Sequence, residues 1–284
     1  MIFDLGHPGV LRLTGDDTPR FCNSMLTNNF RKLQPGQGSH SGMTDNKGRI
    51  LALMDAWRLA EDQALILIDG ADVEAIAERL DMYIIMDPIE LEDLTASHGV
   101  RHVLGEERMA TLGLPTPEGI VAHGEGWVAR SDRCGEVGFD LVGVPVTADT
   151  GADVLDGLRI QAGLPRWPQD FGERSFAHEM RLRDRICAFD KGCYIGQEVI
   201  NRMDTMGKVN KRLTGLVLEG PGAVGGKVFV EDAEVGVVTS EGSAQGRTLG
   251  LAVLRKAAWD PGTPLRIEAT GGTMTARSSD LPFE

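Results

Sequence analysis

Short runs of apolar residues, several of them alternating with polar ones, predict β-strands along the first half of the chain. From His40 to Asp69 the pattern is that of an antiparallel meander, with a turn at Asp45–Gly48, a long strand at Arg49–Leu59 and a second turn at Ala60–Asp62. Further strands are predicted at Val10–Thr14, Ala64–Ile68, Val100–Leu104, Trp127–Arg130 and Val137–Val142.

Apolar residues spaced by three and four positions predict helices between these strands. One helix follows the cap Asp72 with Val73, Ile76, Ala77, Leu80 and Ile84 on one face. Others are predicted at Thr18–Leu26, with Pro19 in its first turn, at Glu106–Leu112, at Asp153–Ala162 and at Glu198–Met203.

After Arg212 the pattern changes to short β runs separated by glycine-rich turns. Six strands are predicted at Leu213–Leu218, Lys227–Val230, Val235–Thr239, Thr248–Leu254, Pro264–Ala269 and Thr273–Ala276. Six strands of this length suit a small barrel. The fold class is therefore α+β, ending in a small C-terminal β-barrel.

The composition is that of a folded protein without a membrane segment. The chain has 284 residues, of which 42% are hydrophobic and 25% charged, enough for two or three domains. No window approaches the roughly 18 apolar residues that cross a bilayer, and Met1–Leu13 lacks a signal-peptide pattern. We therefore expect a cytoplasmic protein without membrane contacts.

The charge distribution is uneven. The net charge of −13 argues against broad, non-specific binding to nucleic acid. Between Arg159 and Arg212, however, 11 basic residues face 7 acidic ones, a local charge of +4. This basic segment predicts either an anionic ligand or a solvated surface of mixed charge.

One segment, Phe189–Glu198, combines a thiol, a lysine, two glycines and a carboxylate within ten positions. Lys191 lies two residues before Cys193, where its charge would favour the thiolate, and Gly192 and Gly196 allow a tight backbone turn. Cys22 and Cys187 have apolar neighbours and are predicted to be buried. No CxxC pair is present, and no metal site is predicted.

The sequence Lys191-Gly192-Cys193-Tyr194-Ile195-Gly196-Gln197-Glu198 resembles the KGCYxGQE signature of the YgfZ-type folate-binding proteins, relatives of the glycine cleavage T protein. Other segments that resemble this family occur along the whole chain, in the order that the family shows. They are Leu26-Thr27-Asn28, Gly48-Arg49-Ile50, the segment Arg159–Pro165 and Asn210–Leu213.

The resemblance implies three domains around a central cavity that holds tetrahydrofolate or a one-carbon derivative. Residues 1–41 with 118–205 would form one α+β domain, residues 42–117 the second, and residues 206–284 the barrel. Glu179 occupies the place of the glutamate that holds the pterin ring, although Ala177 and Met180 depart from the pattern. A carboxylate suits a pterin because it accepts paired N–H bonds.

The other folate-binding residues implied by the resemblance are Asn28, Tyr194, Gly196, Gln197, Arg202 and Arg212. Lys208 and Lys211 are further cations available to the folate tail. Cys193 is the implied acting residue, assisted by Lys191. The arginines at 166, 174, 181 and 183 would serve a protein partner or tRNA.

One departure from the T protein concerns its catalytic aspartate after the hairpin glycine. The corresponding stretch, Arg49–Leu53, contains no carboxylate. Asp55 lies three positions beyond Ala52 and would point to the other side of an extended strand unless a bulge intervenes.

The resemblance thus implies a folate-binding accessory protein for iron–sulfur cluster assembly or repair. Its partners would be iron–sulfur proteins or their assembly machinery, including tRNA-modifying enzymes. The alternative is a tetrahydrofolate-dependent aminomethyltransferase or methyltransferase that uses Asp55 or Glu179. A third possibility is a binding scaffold that has lost folate. Whether the protein is an enzyme is left open by the sequence.

Overall fold

The computed structural model describes residues 1–85, 88–207, 209–244 and 246–284. The chain forms two compact units. The first comprises Met1–Asp132, Glu136–Ala152 and Arg183–Arg202, and the second comprises Arg133–Gly135, Asp153–Leu182 and Met203–Glu284. Helices, two sheets and a barrel are all present, which confirms the α+β class with a C-terminal barrel.

The first unit contains two five-stranded antiparallel sheets. One has the order β3-β4-β5-β2-β6 and the other the order β1-β7-β10-β9-β8. The strands are β1 (Ile2–Asp4), β2 (Gly9–Thr14), β3 (Gly38–Thr44), β4 (Ile50–Ala60), β5 (Gln63–Asp69), β6 (Glu90–Asp93), β7 (Val100–Leu104), β8 (Ile120–His123), β9 (Gly126–Ser131) and β10 (Gly138–Val142). The helices of the chain are α1 (Thr18–Met25), α2 (Val73–Tyr83), α3 (Glu106–Leu112), α4 (Ala152–Gln161), α5 (Arg183–Ile186) and α6 (Gln197–Met206).

Strand β4 shows how the alternating pattern builds this unit. Ala52, Met54 and Ala56 pack into one hydrophobic cluster with residues of α1 and α2. Trp57, on the opposite face, packs into a second cluster that contains residues of both sheets. Successive side chains of a strand point to opposite faces, so β4 is covered on both sides.

The second unit contains a closed barrel with the strand order β11-β14-β13-β12-β15-β16. Its strands are β11 (Lys211–Leu218), β12 (Lys227–Val230), β13 (Ala233–Ala244), β14 (Arg247–Arg255), β15 (Pro264–Ala269) and β16 (Gly272–Ser279). All six predicted barrel strands are confirmed. Strand β13 extends five residues beyond its predicted end at Thr239, because a register shift between Val238 and Ser240 lets pairing with β14 continue.

The predicted meander and the five predicted helices are also confirmed, with ends within a few residues. The sequence missed β1, β6 and β8, which have only three or four residues and lie at sheet edges. Three or four residues are too few to show a recognisable alternation of apolar and polar positions.

The three-domain division and the central cavity remain predictions. Within the described residues, no helix is both long and apolar enough to cross a membrane.

Candidate functional site

The segment Phe189–Glu198 belongs to the first unit and joins α5 to α6. Hydrogen bonds fix both of its ends. Before it, the Ala188 N–H donates to the Thr27 carbonyl at 3.1 Å. Near its end, Thr44 Oγ1 donates to the Ile195 carbonyl at 2.6 Å. The segment is therefore held against the end of α1 and against β3.

Gly196 makes the tightest approach of this segment. Its φ is +82°, and a Cβ at this position would lie 2.4 Å from the Asp45 carbonyl oxygen and 2.9 Å from Gly48 Cα. Gly48, in the hairpin turn between β3 and β4, also has a positive φ, +74°. Gly196 thus packs two backbone turns together, and the folate contact predicted for it remains a prediction.

Lys191 is directed toward the end of α1. Its Nζ donates to the carbonyls of Leu26 at 2.5 Å and Asn28 at 2.7 Å, and it lies 4.7 Å from the centre of the Tyr194 ring. Burial lowers the pKa of Lys191 from 10.5 to about 8. These contacts give Lys191 a role in closing the loop that follows α1, whereas its influence on Cys193 remains a prediction.

The depressed pKa of Lys191 predicts a rise in stability at alkaline pH. The folded protein releases this proton near pH 8 and the unfolded chain near pH 10.5, so the unfolded state binds more protons between these values. The contribution of Lys191 to stability is therefore highest above pH 10.5 and is lost as the pH falls to 8. Relative to Lys191→Met, the wild type should gain roughly 1–3 kcal/mol between pH 7.5 and pH 10, allowing for partial solvent exposure.

Urea denaturation of both proteins across this pH range measures the effect. Lys47→Met, which changes an exposed turn residue, is the control and should follow the wild type. A constant difference between the wild type and Lys191→Met would contradict the prediction.

Asn28 is engaged with β3. Its Nδ2 donates to the His40 carbonyl at 2.9 Å, and its backbone N–H donates to Ser41 Oγ at 2.9 Å. Its Oδ1 accepts from the Asn29 N–H at 2.8 Å. The side chain thereby fixes the turn after α1, and its contact with folate remains a prediction.

Tyr194 is buried, with 7% of its surface exposed. Burial raises the pKa of its hydroxyl. Among the described residues its hydroxyl has no hydrogen-bond partner. A buried phenol without a partner is uncommon, so Tyr194 keeps an available polar atom beside Lys191.

Cys193 is exposed, whereas Cys22, Cys134 and Cys187 are buried. The predicted burial of Cys22 and Cys187 is confirmed. Burial raises the pKa of Cys22 to about 12. An exposed thiol on a fixed loop is available to a reaction partner, and the buried thiols are not.

The remaining predicted residues of the first unit lie on α6. Gln197 begins this helix, and its N–H donates to the Tyr194 carbonyl at 3.2 Å. Arg202 is exposed. The predicted helix after the glycine turn is thus confirmed, although ligand contacts of these two side chains remain predictions.

Glu179 and Arg212 belong to the second unit. Glu179 is 6% exposed, and its Oε2 accepts from the Phe176 N–H at 3.3 Å and lies 3.7 Å from Lys211 Nζ. Burial raises the pKa of Glu179, opposed by the charge of Lys211 and by the Phe176 hydrogen bond. A buried carboxylate with so few partners fits a ligand that presents N–H groups.

Arg212 stacks on Trp259, with its guanidinium carbon 4.6 Å from the ring centre. Its Nη2 donates to the Trp259 carbonyl at 3.4 Å. Its Nε is buried and has no hydrogen-bond partner among the described residues. Lys208, the other predicted cation of this stretch, lies outside the described residues.

Many cations of the basic segment are already paired within their own unit. Arg159 is 4% exposed, and its Nη1 donates to Asp170 at 2.7 Å. Arg166 pairs with Asp156 at 3.1 Å, and Arg181 donates to the carbonyls of Leu213 and Leu281. Many cations of the basic segment therefore stabilise the fold through ion pairs and hydrogen bonds. Arg174 and Arg202, by contrast, are exposed.

The sequence did not single out His40. It lies directly opposite Asp55 on the neighbouring strand, and its Nδ1 contacts the Asp55 carboxylate. The predicted direction of Asp55 is correct, because it lies on the face opposite to Ala52, which is buried in the core. Only the register of β3 against β4 brings His40 and Asp55 together.

The described residues contain no group of three or more side chains suited to a metal ion.

Two domain families match the chain. Residues 1–114 match the GCVT N-terminal domain, and residues 211–283 match the Glycine cleavage T-protein C-terminal barrel domain. The solved glycine cleavage system aminomethyltransferase T from Bartonella henselae superposes with a TM-score of 0.88, covering 100% of this chain and 86% of that chain at 19% identity. At this identity the likeness shows the fold.

Similar curated proteins extend over the full length. The aminomethyltransferase of Rippkaea orientalis is 25% identical over 316 residues, which cover 99% of this chain and 85% of the relative. A chloroplastic protein of Arabidopsis thaliana that is named as a transferase is 25% identical over 311 residues, covering 100% of this chain and 71% of the relative. The chain therefore contains the N-terminal domain and the C-terminal barrel of the glycine cleavage T-protein, and it belongs to the GCVT-like, or aminomethyltransferase, superfamily.

Proposed function

We propose that this protein is a cytoplasmic, YgfZ-type folate-binding accessory protein for iron–sulfur cluster assembly or repair, acting through Cys193. The main support is the combination of the KGCYIGQE segment with an exposed thiol at Cys193. The stretch Arg49–Leu53, which by the resemblance corresponds to the one that carries the T protein's aspartate, contains no carboxylate. This difference favours an accessory role over aminomethyl transfer.

Two groups of the second unit, the buried carboxylate of Glu179 and the half-buried guanidinium of Arg212, suit tetrahydrofolate. The aminopyrimidine edge of a pterin presents neighbouring N–H groups, which a buried carboxylate such as Glu179 accepts. The folate tail ends in carboxylates, for which the guanidinium of Arg212 is suited. When bound, tetrahydrofolate supplies amine nitrogens that carry one-carbon units.

Glu179→Gln should weaken the binding of tetrahydrofolate by about 10- to 100-fold, because it removes charge-assisted hydrogen bonds worth roughly 1.5–3 kcal/mol. Anaerobic calorimetry of the purified protein measures the dissociation constant. Glu173→Gln is the matched control, since Glu173 is exposed and lies six residues earlier in the same segment. Equal affinity of wild type and Glu179→Gln would remove Glu179 from the folate site.

The accessory role assigns sulfur or iron chemistry to Cys193. A thiolate ligates iron and exchanges with disulfides or persulfides when it is accessible. A stable cluster bound by this chain alone is disfavoured, because clusters use several thiolates and the other three cysteines are buried. Cys193 would therefore act transiently on a partner, such as a cluster-dependent tRNA-modifying enzyme.

Cys193→Ala should abolish complementation of a deletion strain, measured by the activity of cluster-dependent enzymes and by the level of cluster-dependent tRNA modification. Gly192→Ala is the control, because a Cβ at Gly192 meets open space and leaves the thiol in place. Full rescue by Cys193→Ala would rule out the thiol role, and failure of the control would show that the loop itself is needed.

A second candidate is a tetrahydrofolate-dependent aminomethyltransferase or methyltransferase. Similar proteins are named aminomethyltransferase, and Asp55 supplies a buried carboxylate near the position that lacks one. Folate-dependent formaldehyde release or methyl transfer from a panel of amine donors would favour this function, and inactivity across the panel would count against it.

A further inference from the structure

Three large apolar side chains are exposed together at the end of helix α2 in the first unit. Ile85 is 81% exposed, Met82 69% and Tyr83 40%, and we call these three residues the α2 tip. Ile85 and Met82 have the highest exposed fractions among the large hydrophobic residues of the described part of the chain. Single exposed apolar residues are normal on a protein surface, whereas a contiguous group indicates an interaction site.

The apolar surface continues from the α2 tip toward the neighbouring edge strand. Helix α2 contacts β6, and Ile84, Ile89 and Leu91 of this region are only partly buried against the hydrophobic cluster beneath them. Ile76 and Leu80, on the inner face of α2, are buried in that cluster. The helix is therefore anchored by its inner face, and its last turn presents apolar side chains to the outside.

The same part of the chain carries more than half of the net negative charge. Between Asp72 and Asp93, eight acidic residues face one basic residue, a charge of −7 in a chain whose total is −13. Glu92 pairs with Arg12 of the neighbouring strand at 2.5 Å. The acidic residues of this segment that the structure describes are all exposed: Asp72, Glu74, Glu78, Asp81, Glu90, Glu92 and Asp93.

The acidic and apolar side chains share one exposed face of α2. Glu74, Glu78 and Met82 follow one another at a spacing of four residues, and residues four apart are neighbours on a helix surface. Asp81 lies three residues after Glu78 and therefore beside the same row. The α2 tip thus forms the apolar end of an acidic surface.

The charge of this surface decides which occupant fits it. A second copy of the chain would bring a second acidic surface against the first, and like charges repel. Anionic lipids and nucleic acids carry the same sign and are repelled as well. A positively charged protein segment is attracted, and large apolar side chains on that segment would cover the α2 tip.

We propose that the α2 tip and the acidic residues around it form a docking surface for a partner protein, which presents a basic segment with large apolar side chains. The α2 tip supplies the apolar contact that holds the complex together. The carboxylates steer the approach and select the sign of the partner's charge. This surface uses neither Cys193 nor the proposed folate residues, so the inference does not depend on the proposed function.

Fluorescence anisotropy of labelled synthetic peptides with the full-length protein tests the surface. The probe is an amphipathic peptide of lysine and leucine. A lysine–serine peptide keeps its charge, and a glutamate–leucine peptide keeps its apolar content. The lysine–leucine peptide should bind at least about tenfold more tightly than either, and its affinity should fall by about tenfold as the salt concentration rises from about 50 to about 300 mM.

Two double variants locate the binding surface. Met82→Ser with Ile85→Ser should weaken binding of the lysine–leucine peptide by about tenfold or more, because it removes two exposed apolar contacts. Glu78→Lys with Asp81→Lys should also weaken binding and should reduce its dependence on salt. All four positions are exposed, so the melting temperature of each variant should match that of the wild type.

The matched control is Glu231→Lys with Asp232→Lys, which makes the same change of charge at two exposed residues of the barrel. It should bind the peptide as the wild type does. Equal weakening in the control, or undiminished binding by Met82→Ser with Ile85→Ser, would show that the docking surface is wrong. A wild-type dimer in sedimentation velocity that dissociates in the serine variant would make a second copy the occupant. Binding to vesicles of anionic phospholipid that the serine variant loses would make a membrane the occupant, and either result overturns the proposal.

Discussion

Gly196→Ala is expected to lower the free energy of unfolding of the first unit by about 2–5 kcal/mol. An L-residue at a φ of +82° costs roughly 1–2 kcal/mol, and overpacking costs roughly 1–3 kcal/mol more. The overlap cannot be relieved by a rotamer change, because the opposing atom is the backbone oxygen of Asp45, 2.4 Å from the added Cβ. Urea denaturation followed by tryptophan fluorescence measures the loss.

Gly192→Ala is the matched control in the same loop. A Cβ at Gly192 meets nothing within 4 Å, so this change should stay within about 0.5 kcal/mol of the wild type. If the two variants were equally stable, the close contact between the Gly196 turn and the hairpin turn at Asp45–Gly48 would be wrong.

Asp170→Asn is expected to destabilise the second unit by about 3–5 kcal/mol, because it removes the fully buried carboxylate that pairs with the guanidinium of Arg159 and leaves only the more exposed Asp156 as a counter-charge. The Asp170 side chain is 0% exposed and that of Arg159 is 5% exposed. Asp170 also accepts from Ser240 Oγ at 2.6 Å and from the Arg166 N–H at 2.9 Å. The carboxylate thus joins the chain after α4 to strand β13.

The control for this prediction is Arg166→Gln, which removes an ion pair whose arginine side chain is 49% exposed. Its loss should be below about 1 kcal/mol, since exposed pairs contribute little. Calorimetric melting of the three proteins gives the comparison. A loss below about 1 kcal/mol in Asp170→Asn would contradict the prediction and show that Asp156 alone suffices as the counter-charge of Arg159.

The predictions for Gly196→Ala and Asp170→Asn assign structural roles to residues of the segments that resemble a folate-binding family, or to their direct partners. Gly196 and Arg159 both lie in segments that resemble a folate-binding family, yet their contacts hold turns and strands together. A residue of a family motif can thus stabilise the backbone around a site without contacting a ligand. Glu179 and Cys193 differ from them, because one is a buried carboxylate with few partners and the other an exposed thiol.

Much of the fold could be predicted from the sequence because local signals agree with it. The glycine-rich turns and short apolar runs after Arg212 predicted all six barrel strands. Strands β1, β6 and β8 were missed, since an edge strand of three or four residues has too little alternation to stand out. The candidate site was predicted less completely, because contacts such as that of Lys191 with Leu26 join residues far apart in the chain.

The sequence by itself determined the element types, the C-terminal barrel, the buried positions of Cys22 and Cys187, and the direction of Asp55 along its strand. These follow from periodicity and composition, which are local properties. Only the tertiary structure decided that Lys191 closes the end of α1, that Gly196 packs on a hairpin turn, and that His40 meets Asp55. Strand register and loop packing bring those groups together, and neither can be calculated from the spacing of residues along the chain.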